Sequence, residues 1–296
     1  MPSSDFRMPN SLLMSNSLSD LQSVFAKLTD LQDQAATLKR LRKPSDAPAD
    51  VVSAMQLHAG INRNTRYATN IGDASAWLGT ADNALTSAVS QLQRVNTLVV
   101  QAANASTDSN ARAGIAAEID AIRSTMISIA NTQYAGRPVF AGTAAGNVAY
   151  DTNGNYVGIS APVERNISPG QRVQVNVNGD AVFGTPGNDL FTTLAQISAA
   201  VRSDPSQLTT LQGTLNTQTT QVQNQLAEVG ARFQRVSAMQ TQNSSDAVTM
   251  KQNLSNIEDA DIAQVMMQLQ AQQIAYQAAL EATAKAIQPS LADFLR

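Results

Sequence analysis

The sequence predicts a mainly α-helical protein: an elongated, coiled-coil-like bundle made from both chain ends, with a small inserted β domain. Three observations support this prediction. Near both ends of the 296-residue chain, apolar residues recur every three or four positions. Aromatic residues make up only 4% of the chain, so its core must be built from Leu, Val, Ile, Met and Ala, which suits close helix packing. In the middle, glycine, proline and asparagine become frequent and the apolar period falls towards two.

The two terminal helices each carry an apolar stripe. Steps of three and four residues place such a stripe on one helix face, as in a coiled coil. Two helices alone form a thin pair, so we expect residues 1–44 and 255–296 to form an inner assembly domain that orders fully only against neighbouring subunits. The stripe residues are Leu18, Leu21, Phe25 and Leu28 at the start, and Ile262, Met266, Leu269, Tyr276, Leu280 and Ile287 at the end.

Three further apolar stripes predict a helical bundle domain from residues 45–135 and 190–254. Because these stripes are long and regular, we expect them to form an intramolecular core. The polar segment 105–112 predicts a short connection, after which the chain runs back as a helix. The stripes are Leu78, Ala81, Leu85, Ala88, Leu92, Val95 and Val99; Ile115, Ile119, Ile122, Met126 and Ile129; and Leu208, Leu211, Leu215, Val222, Leu226, Val229, Phe233 and Val236.

Residues 136–189 predict a separate β domain. Asn153-Gly154 and Asn178-Gly179 each lie between short β-prone runs, and Asn-Gly favours a type I′ hairpin turn because both central residues need positive φ. Because few heptad contacts are expected to cross the domain boundary, replacing this segment by a short flexible linker should leave the helices and their thermal transition largely in place.

The segment "RKPSDAPADV", residues 42–51, predicts a hinge between two helices, formed by Pro44, Ser45 and Asp46. Pro44 would stop the first helix, and the basic residues among 39–43 would lie at its negative end. Ser45 or Asp46 would cap the second helix, in which Pro48 is tolerated in the first turn.

Composition excludes several classes of function. The formal net charge of −3 argues against nucleic-acid and polybasic membrane partners. The chain has no cysteine, which excludes disulfides, thiolate metal sites and cysteine nucleophiles. No apolar run reaches the roughly 20 residues of a membrane span. The first ten residues show no charged start followed by an apolar run, so we expect no cleaved secretory signal peptide.

No combination of ionisable residues predicts catalysis, a metal site or a cofactor site. His58 is the only histidine and has no nucleophile or ligand set around it in the sequence pattern. The "DTNGN" stretch, residues 151–155, resembles half of a calcium loop but lacks the rest of the ligand ladder, so a hairpin turn is the better interpretation. Glu258, Asp259 and Asp261 are more simply explained as an acidic first helical turn than as paired catalytic carboxylates.

Three stretches resemble the bacterial flagellin superfamily: "KRLRKPSDAPAD" at residues 39–50, the helical region at 92–132, and the carboxy-terminal "SNIEDADIAQVMMQLQAQQIAYQAALEATAKAIQPSLADFLR". Within the family, "GRPVFAGT" followed by "ISPGQRVQVNVNGDAVFG" is similar to the branch that joins hook to filament.

This resemblance implies a non-enzymatic, extracellular structural subunit of the flagellum that is exported by the flagellar type III apparatus. It implies a homo-oligomer whose partners are the hook-side junction protein, flagellin and an export chaperone on the C-terminal segment. It also implies that Arg94, Leu98 and Glu118 contact neighbouring subunits. Two alternatives remain open from the sequence: a filament flagellin, and a soluble coiled-coil adaptor.

Overall fold

A computed structural model describes residues 10–45, 47–104 and 108–294, with side chains described between residues 15 and 284. The chain is mainly helical, as the sequence predicts. The α-helices are α1 (Asn10–Thr37), α2 (Pro48–Ala103), α3 (Ser109–Ala130), α4 (Gly179–Phe183), α5 (Leu190–Ser203), α6 (Leu208–Glu258) and α7 (Ile262–Phe294). The strands β1 (Gln133–Tyr134), β2 (Arg137–Pro138), β3 (Glu164–Ser168) and β4 (Gln171–Gln174) form two antiparallel hairpins.

The contacts divide the chain into two compact units, whose boundaries differ from those that the sequence predicts. One unit consists of residues 1–62 with 248–296, and the other of residues 63–247. The boundaries predicted after 44 and before 255 therefore move to positions after 62 and before 248. The physical reason is that the start of α2 and the end of α6 make contacts within the unit of the chain ends: Asp50 pairs with Arg40 at 2.9 Å, and His58 meets Glu258 at 2.6 Å.

The core of the 63–247 unit is built on heptad-spaced residues. On α2, the predicted stripe from Leu78 to Val99 is fully buried, with every member at 0% exposure. On α6, the buried apolar residues recur at seven-residue intervals, the period of a coiled-coil seam. They are Leu208, Leu215, Val222, Val229 and Val236. The prediction that these stripes cover one another within the chain is confirmed.

Residues 136–189 are not a separate domain, which corrects the sequence-based prediction. Phe140, Tyr150 and Phe183 are at most 1% exposed and pack with Phe191 of α5, with ring centroids 5.0–5.6 Å apart. This aromatic cluster belongs to the same core as the helical stripes. The segment cannot form a core of its own because its largest side chains point into the helical one.

Polar contacts also attach this segment to the long helices. Asp73 of α2 receives a hydrogen bond from Arg165 Nε at 2.7 Å, and Arg123 of α3 donates to the Asn153 carbonyl. From α6, Arg232 donates to the Asn176 carbonyl at 3.1 Å. These contacts join the segment to α2, α3 and α6.

The two Asn-Gly pairs do not form type I′ turns. Asn153 does not have positive φ; Gly154 does, at +89°, and it closes a turn in which its N–H donates to the Asp151 carbonyl at 3.1 Å. Asn178 caps α4, so that pair begins a helix. The turn with positive φ at both central residues is Ala135-Gly136, which joins β1 to β2.

Gly154 gives a stability prediction with a matched control. An added Cβ at Gly154 would lie 2.7 Å from Phe191 Cβ, whereas one at Gly136 would meet nothing within 4 Å. Both positions have positive φ, which costs an alanine about 1–2 kcal/mol. We expect Gly136→Ala to lose that amount and Gly154→Ala to lose about 1–3 kcal/mol more, because of overpacking. Urea unfolding of both variants measures the difference, and equal losses would contradict the close approach to Phe191.

Candidate assembly surface on the terminal helices

Helices α1 and α7 pack against each other along their lengths, within the unit formed by the chain ends. The Phe25 and Tyr276 ring centroids are 5.7 Å apart, and Gln272 Nε2 donates to the Val24 carbonyl at 3.0 Å. The pair has a small core: of the described α1 and α7 side chains, only Leu28 and Val265 are buried. A helix pair of this kind covers little apolar surface by itself.

The predicted terminal stripes are divided between two environments. Leu21, Leu28, Leu269 and Tyr276 are buried or half-buried, whereas the others with described side chains are 42–54% exposed. The exposed ones are Leu18, Phe25, Ile262, Met266 and Leu280. The side chain of Ile287 lies outside the described residues.

The shielded residues follow heptads that are shifted relative to the prediction. On α1 the least exposed described positions are Ser17, Leu21, Val24, Leu28, Leu31 and Ala35, together with Gln34. On α7 they are Val265, Leu269, Gln272, Tyr276, Ala279 and Thr283. Sequence reasoning missed Val24, Leu31 and Val265 because other apolar residues one position away also fit three-four spacing.

Helix α7 carries a second apolar stripe, formed by Met267, Ala271, Ile274 and Ala278. These residues also step by four and three, and each lies two positions after a residue that faces α1. Two positions correspond to about 200° around the helix, so this stripe lies on the opposite side. Met267 is 65% exposed and Ile274 is 67% exposed. A helix that is apolar on both sides is typical of one that is covered on both sides.

The connection between α1 and α2 differs from the predicted hinge. Helix α1 ends at Thr37, well before Pro44, so Pro44 does not stop it. Pro44 and Ser45 are exposed and form a turn, and Asp46 lies outside the described residues. Helix α2 begins at Pro48, as expected for proline in a first turn.

The basic residues of this connection do not lie at the end of α1. Lys39 Nζ pairs with Asp259 at 2.6 Å and with Glu258 at 3.2 Å. Arg42 folds back onto α1, where it pairs with Asp30 and with Asp33, the latter at 3.3 Å. A charge-assisted hydrogen bond to a carboxylate is stronger than the interaction of a basic side chain with the dipole at a helix end, so these side chains pair with the carboxylates.

The Lys39–Asp259 pair stays ionised over a wide pH range. The hydrogen bond from Lys39 is the largest cause that lowers the pKa of Asp259, followed by one from Ser255. The same bond is the largest cause that raises the pKa of Lys39. The stabilisation of the fold by ionised Asp259 is therefore fully present above the ordinary pKa of an aspartate, and it is lost as pH falls through the lowered pKa of Asp259. The stabilisation by charged Lys39 is fully present below the ordinary pKa of a lysine, and it is lost only as pH rises through the raised pKa of Lys39.

The other acidic residues of this region have structural roles. Asp261 Oδ1 accepts hydrogen bonds from the N–H groups of Ala263 and Gln264, which confirms capping of α7 by this residue. The prediction is wrong for Glu258 and Asp259, which precede α7 and are not part of its first turn. Glu258 lies at the end of α6, and its carboxylate also meets His58 Nε2 at 2.6 Å. Sequence reasoning missed this ionic cluster; the only signal was a basic run and an acidic run at the inner ends of the two terminal helices.

The three residues that the family resemblance places between subunits behave differently from one another. Arg94 Nε and Glu118 Oε1 form an exposed pair at 2.7 Å that joins α2 to α3. Leu98 is 1% exposed and lies in the core of its own chain. Its side chain cannot reach a neighbour, so the prediction for Leu98 is corrected.

No grouping of side chains within the described residues points to catalysis or to metal binding. Among them, no three His, Cys, Asp or Glu side chains are placed to hold a metal ion. The Asp151 carboxylate accepts the N–H groups of Asn153 and Asn155, which holds the turn together as the hairpin interpretation expects. None of the described helices is both long and apolar enough to cross a bilayer.

Comparison with known proteins gives the family. The bacterial flagellin N-terminal helical region matches residues 10–145, and the bacterial flagellin C-terminal helical region matches residues 212–295. Together these two matches span more than two thirds of the chain and include α1, α7 and both connections to them. The chain belongs to the flagellin superfamily. Residues 146–211 lie outside both matches and hold much of the segment that packs on the helical core.

Relatives within the superfamily are hook-associated proteins. The chain is 23% identical over 298 residues to flagellar hook-associated protein 3 of Salmonella typhimurium strain LT2, with 92% of this chain and 94% of that protein covered. Its fold is similar to that of a putative flagellar hook-associated protein from Vibrio parahaemolyticus, with a TM-score of 0.67, 17% identity, and 72% and 100% coverage. FlgL of Bacillus cereus gives a TM-score of 0.61, 24% identity, and 68% and 99% coverage. At these identities the two solved structures support the fold alone.

Proposed function

We propose that this chain is a structural subunit of the bacterial flagellum that forms the junction between hook and filament by packing its terminal helices against neighbouring subunits. Its similarity to flagellar hook-associated protein 3 over nearly the full length supports this place in the flagellum. The observation that carries the mechanism is the second stripe of α7. Met267 and Ile274 are about two-thirds exposed on the side away from α1, and burying such side chains is worth about 1.5–3 kcal/mol each.

The proposed partners follow from this position. Copies of the chain would form a homo-oligomer that meets the hook-side junction protein on one face and flagellin on the other. The junction would be extracellular, and the chain would reach it by export through the flagellar type III apparatus, without a cleaved signal peptide. Before assembly, the apolar C-terminal segment from Ile262 onward is the feature that an export chaperone would cover.

Two further features of this proposal concern residues outside the second stripe. Arg94 and Glu118 form an exposed charged pair, which suits the rim of a contact between subunits more than its centre. Pro44 and Ser45 lie in an exposed turn that joins two helices, the place where a hinge would absorb a change of angle between copies.

The proposal is tested with hook assemblies, the purified chain and flagellin, observed by electron microscopy. The double variant Met267→Gln with Ile274→Gln changes only the second stripe and leaves the α1-facing side intact. We expect it to lose about 3 kcal/mol of packing free energy, more than about 100-fold in affinity, and to be absent from hook tips.

A matched control substitutes two exposed valines of the other unit, Val148→Gln with Val157→Gln, which are 45% and 50% exposed. This control should be incorporated normally. Incorporation of the α7 variant at the normal level would refute packing through this stripe. Growth of long filaments by the unsubstituted chain alone would instead identify it as a filament flagellin.

A further inference from the structure

The connections that lead to α1 and α7 are joined to each other. The Arg40 N–H donates to the Glu258 carbonyl at 2.7 Å, and the Ala260 N–H donates to the Leu38 carbonyl at 3.0 Å. Lys39 adds its two ion pairs, with Asp259 and Glu258. We call this contact between residues 38–41 and 257–260 the linker clasp.

The clasp is attached to both helices without intervening free residues. Leu38 directly follows the last residue of α1; it has φ of +59°, and its N–H donates to the Gln34 carbonyl at 2.9 Å. On the other side, Ala260 is followed by Asp261, which caps α7. With no spacer on either side, fixing the clasp also fixes the rotation of each helix about its axis.

The clasp and the helix pair share one antiparallel register. Leu38 and Ala260 are paired in the clasp, and Val24 and Gln272 are paired farther along the two helices. Val24 lies 14 residues before Leu38 and Gln272 lies 12 residues after Ala260, while the ring contact joins Phe25 and Tyr276, 13 and 16 residues from the same two points. The two helices therefore advance from the clasp in step, to within about one helical turn.

The helices themselves specify this arrangement weakly. The α7 face that covers α1 includes Gln272, Ala279 and Thr283, which add little apolar area. The opposite face, with Met267, Ala271, Ile274 and Ala278, is apolar at each of these four positions, so it offers an alternative face for packing. A heptad pair with two comparable apolar stripes can adopt alternative phases unless another feature excludes them.

We propose that the linker clasp determines which apolar stripe of α7 is covered by α1 and which is left for assembly. It holds the two helix ends so that the Val265–Tyr276 face turns towards α1 and the Met267–Ile274 face turns outward. This inference rests on the proposed function for its purpose, but the phase of α7 is a property of the single chain.

The test uses disulfide formation in the full chain, which has no cysteine of its own. One reporter carries Val24→Cys with Gln272→Cys, for the observed phase. The second carries Val24→Cys with Ile274→Cys, for the opposite face of α7. Each reporter is combined with Lys39→Gln and Asp259→Asn, or separately with Ala260→Pro, which removes the N–H that donates to Leu38. The yield is measured by gel mobility and mass spectrometry after mild oxidation.

With the clasp intact, we expect cross-linking of the first reporter to exceed that of the second by roughly tenfold or more, and each clasp variant to bring the two yields within about threefold. The control, Arg94→Gln with Glu118→Gln, removes an exposed ion pair elsewhere and should change neither yield. Unchanged yields in both clasp variants would overturn the inference. So would loss of the first cross-link without gain of the second, since the clasp would then only hold the helices together. Because these yields are measured without hooks, they stand independently of whether the chain is incorporated.

Discussion

Excising residues 136–189 and joining the ends with a short flexible linker should abolish the cooperative unfolding of the 63–247 unit. The excision removes Phe140, Tyr150 and Phe183, which are fully buried in the core that they share with the helices. Truncating one buried aromatic side chain costs about 3–5 kcal/mol, and a domain has only about 5–15 kcal/mol in total. Three such losses, about 9–15 kcal/mol together, are as large as the whole stability of a domain.

The expected result is a broad thermal transition of helical circular dichroism and an exposed emission spectrum for Trp77, the single tryptophan. Trp77 is 3% exposed and packs 5.6 Å from the Tyr134 ring, so it reports on this core. As a control, the same linker is inserted after Gly146, in an exposed stretch, with nothing removed. The control should keep a sharp transition. A sharp transition in the excised protein would restore the interpretation of 136–189 as an independent domain.

The sequence was most informative where each apolar stripe is covered by its own chain. Helix α2 has one apolar face, and packing that face against the other helices of its own chain is the arrangement that buries it. Accordingly, 0% exposure is found for Leu78, Leu85 and Leu92. It was less informative on α7, where two stripes compete and the choice depends on contacts between opposite ends of the chain. No local pattern identifies Asp259 as the partner of Lys39.

The prediction of a hairpin turn at Asn178-Gly179 was wrong for a related reason. Asn178-Gly179 has the composition of a hairpin turn, yet a Cβ at Gly179 would lie 2.7 Å from Tyr150 Oη. Gly179 has no side chain, and this allows the Tyr150 ring to approach its backbone closely. Asn178 is the N-cap residue of the short helix α4. Local propensity thus gave way to packing in the shared aromatic core.

Removing residues 255–296 should leave the 63–247 unit folded and abolish incorporation at the hook tip. The deletion takes away α7 and the acidic side of the linker clasp, but none of the heptad core of α2, α3 and α6. We expect the thermal transition of that core to shift little, in contrast to the excision of 136–189. Incorporation should be lost because both stripes of α7 are gone.

Hydrogen exchange on the free, full-length chain tests the physical basis of this expectation. Ordering costs about 1–2 kcal/mol per residue in backbone entropy, and apolar burial returns about 25 cal/mol per Å². With only Leu28 and Val265 buried among its described side chains, the α1–α7 pair is close to balance by itself.

At such a balance the pair forms but opens often, so amides in α1 and α7 should exchange fast in the monomer and slowly once assembled, while those in residues 78–130 and 208–240 stay protected throughout. Strong protection of both terminal helices in a verified monomer would show that they need no neighbours. Assembly of the truncated chain would show that the junction is built from other surfaces. Slow exchange that appears in α7 only on assembly, and that Met267→Gln with Ile274→Gln prevents, would tie the ordering to the second stripe.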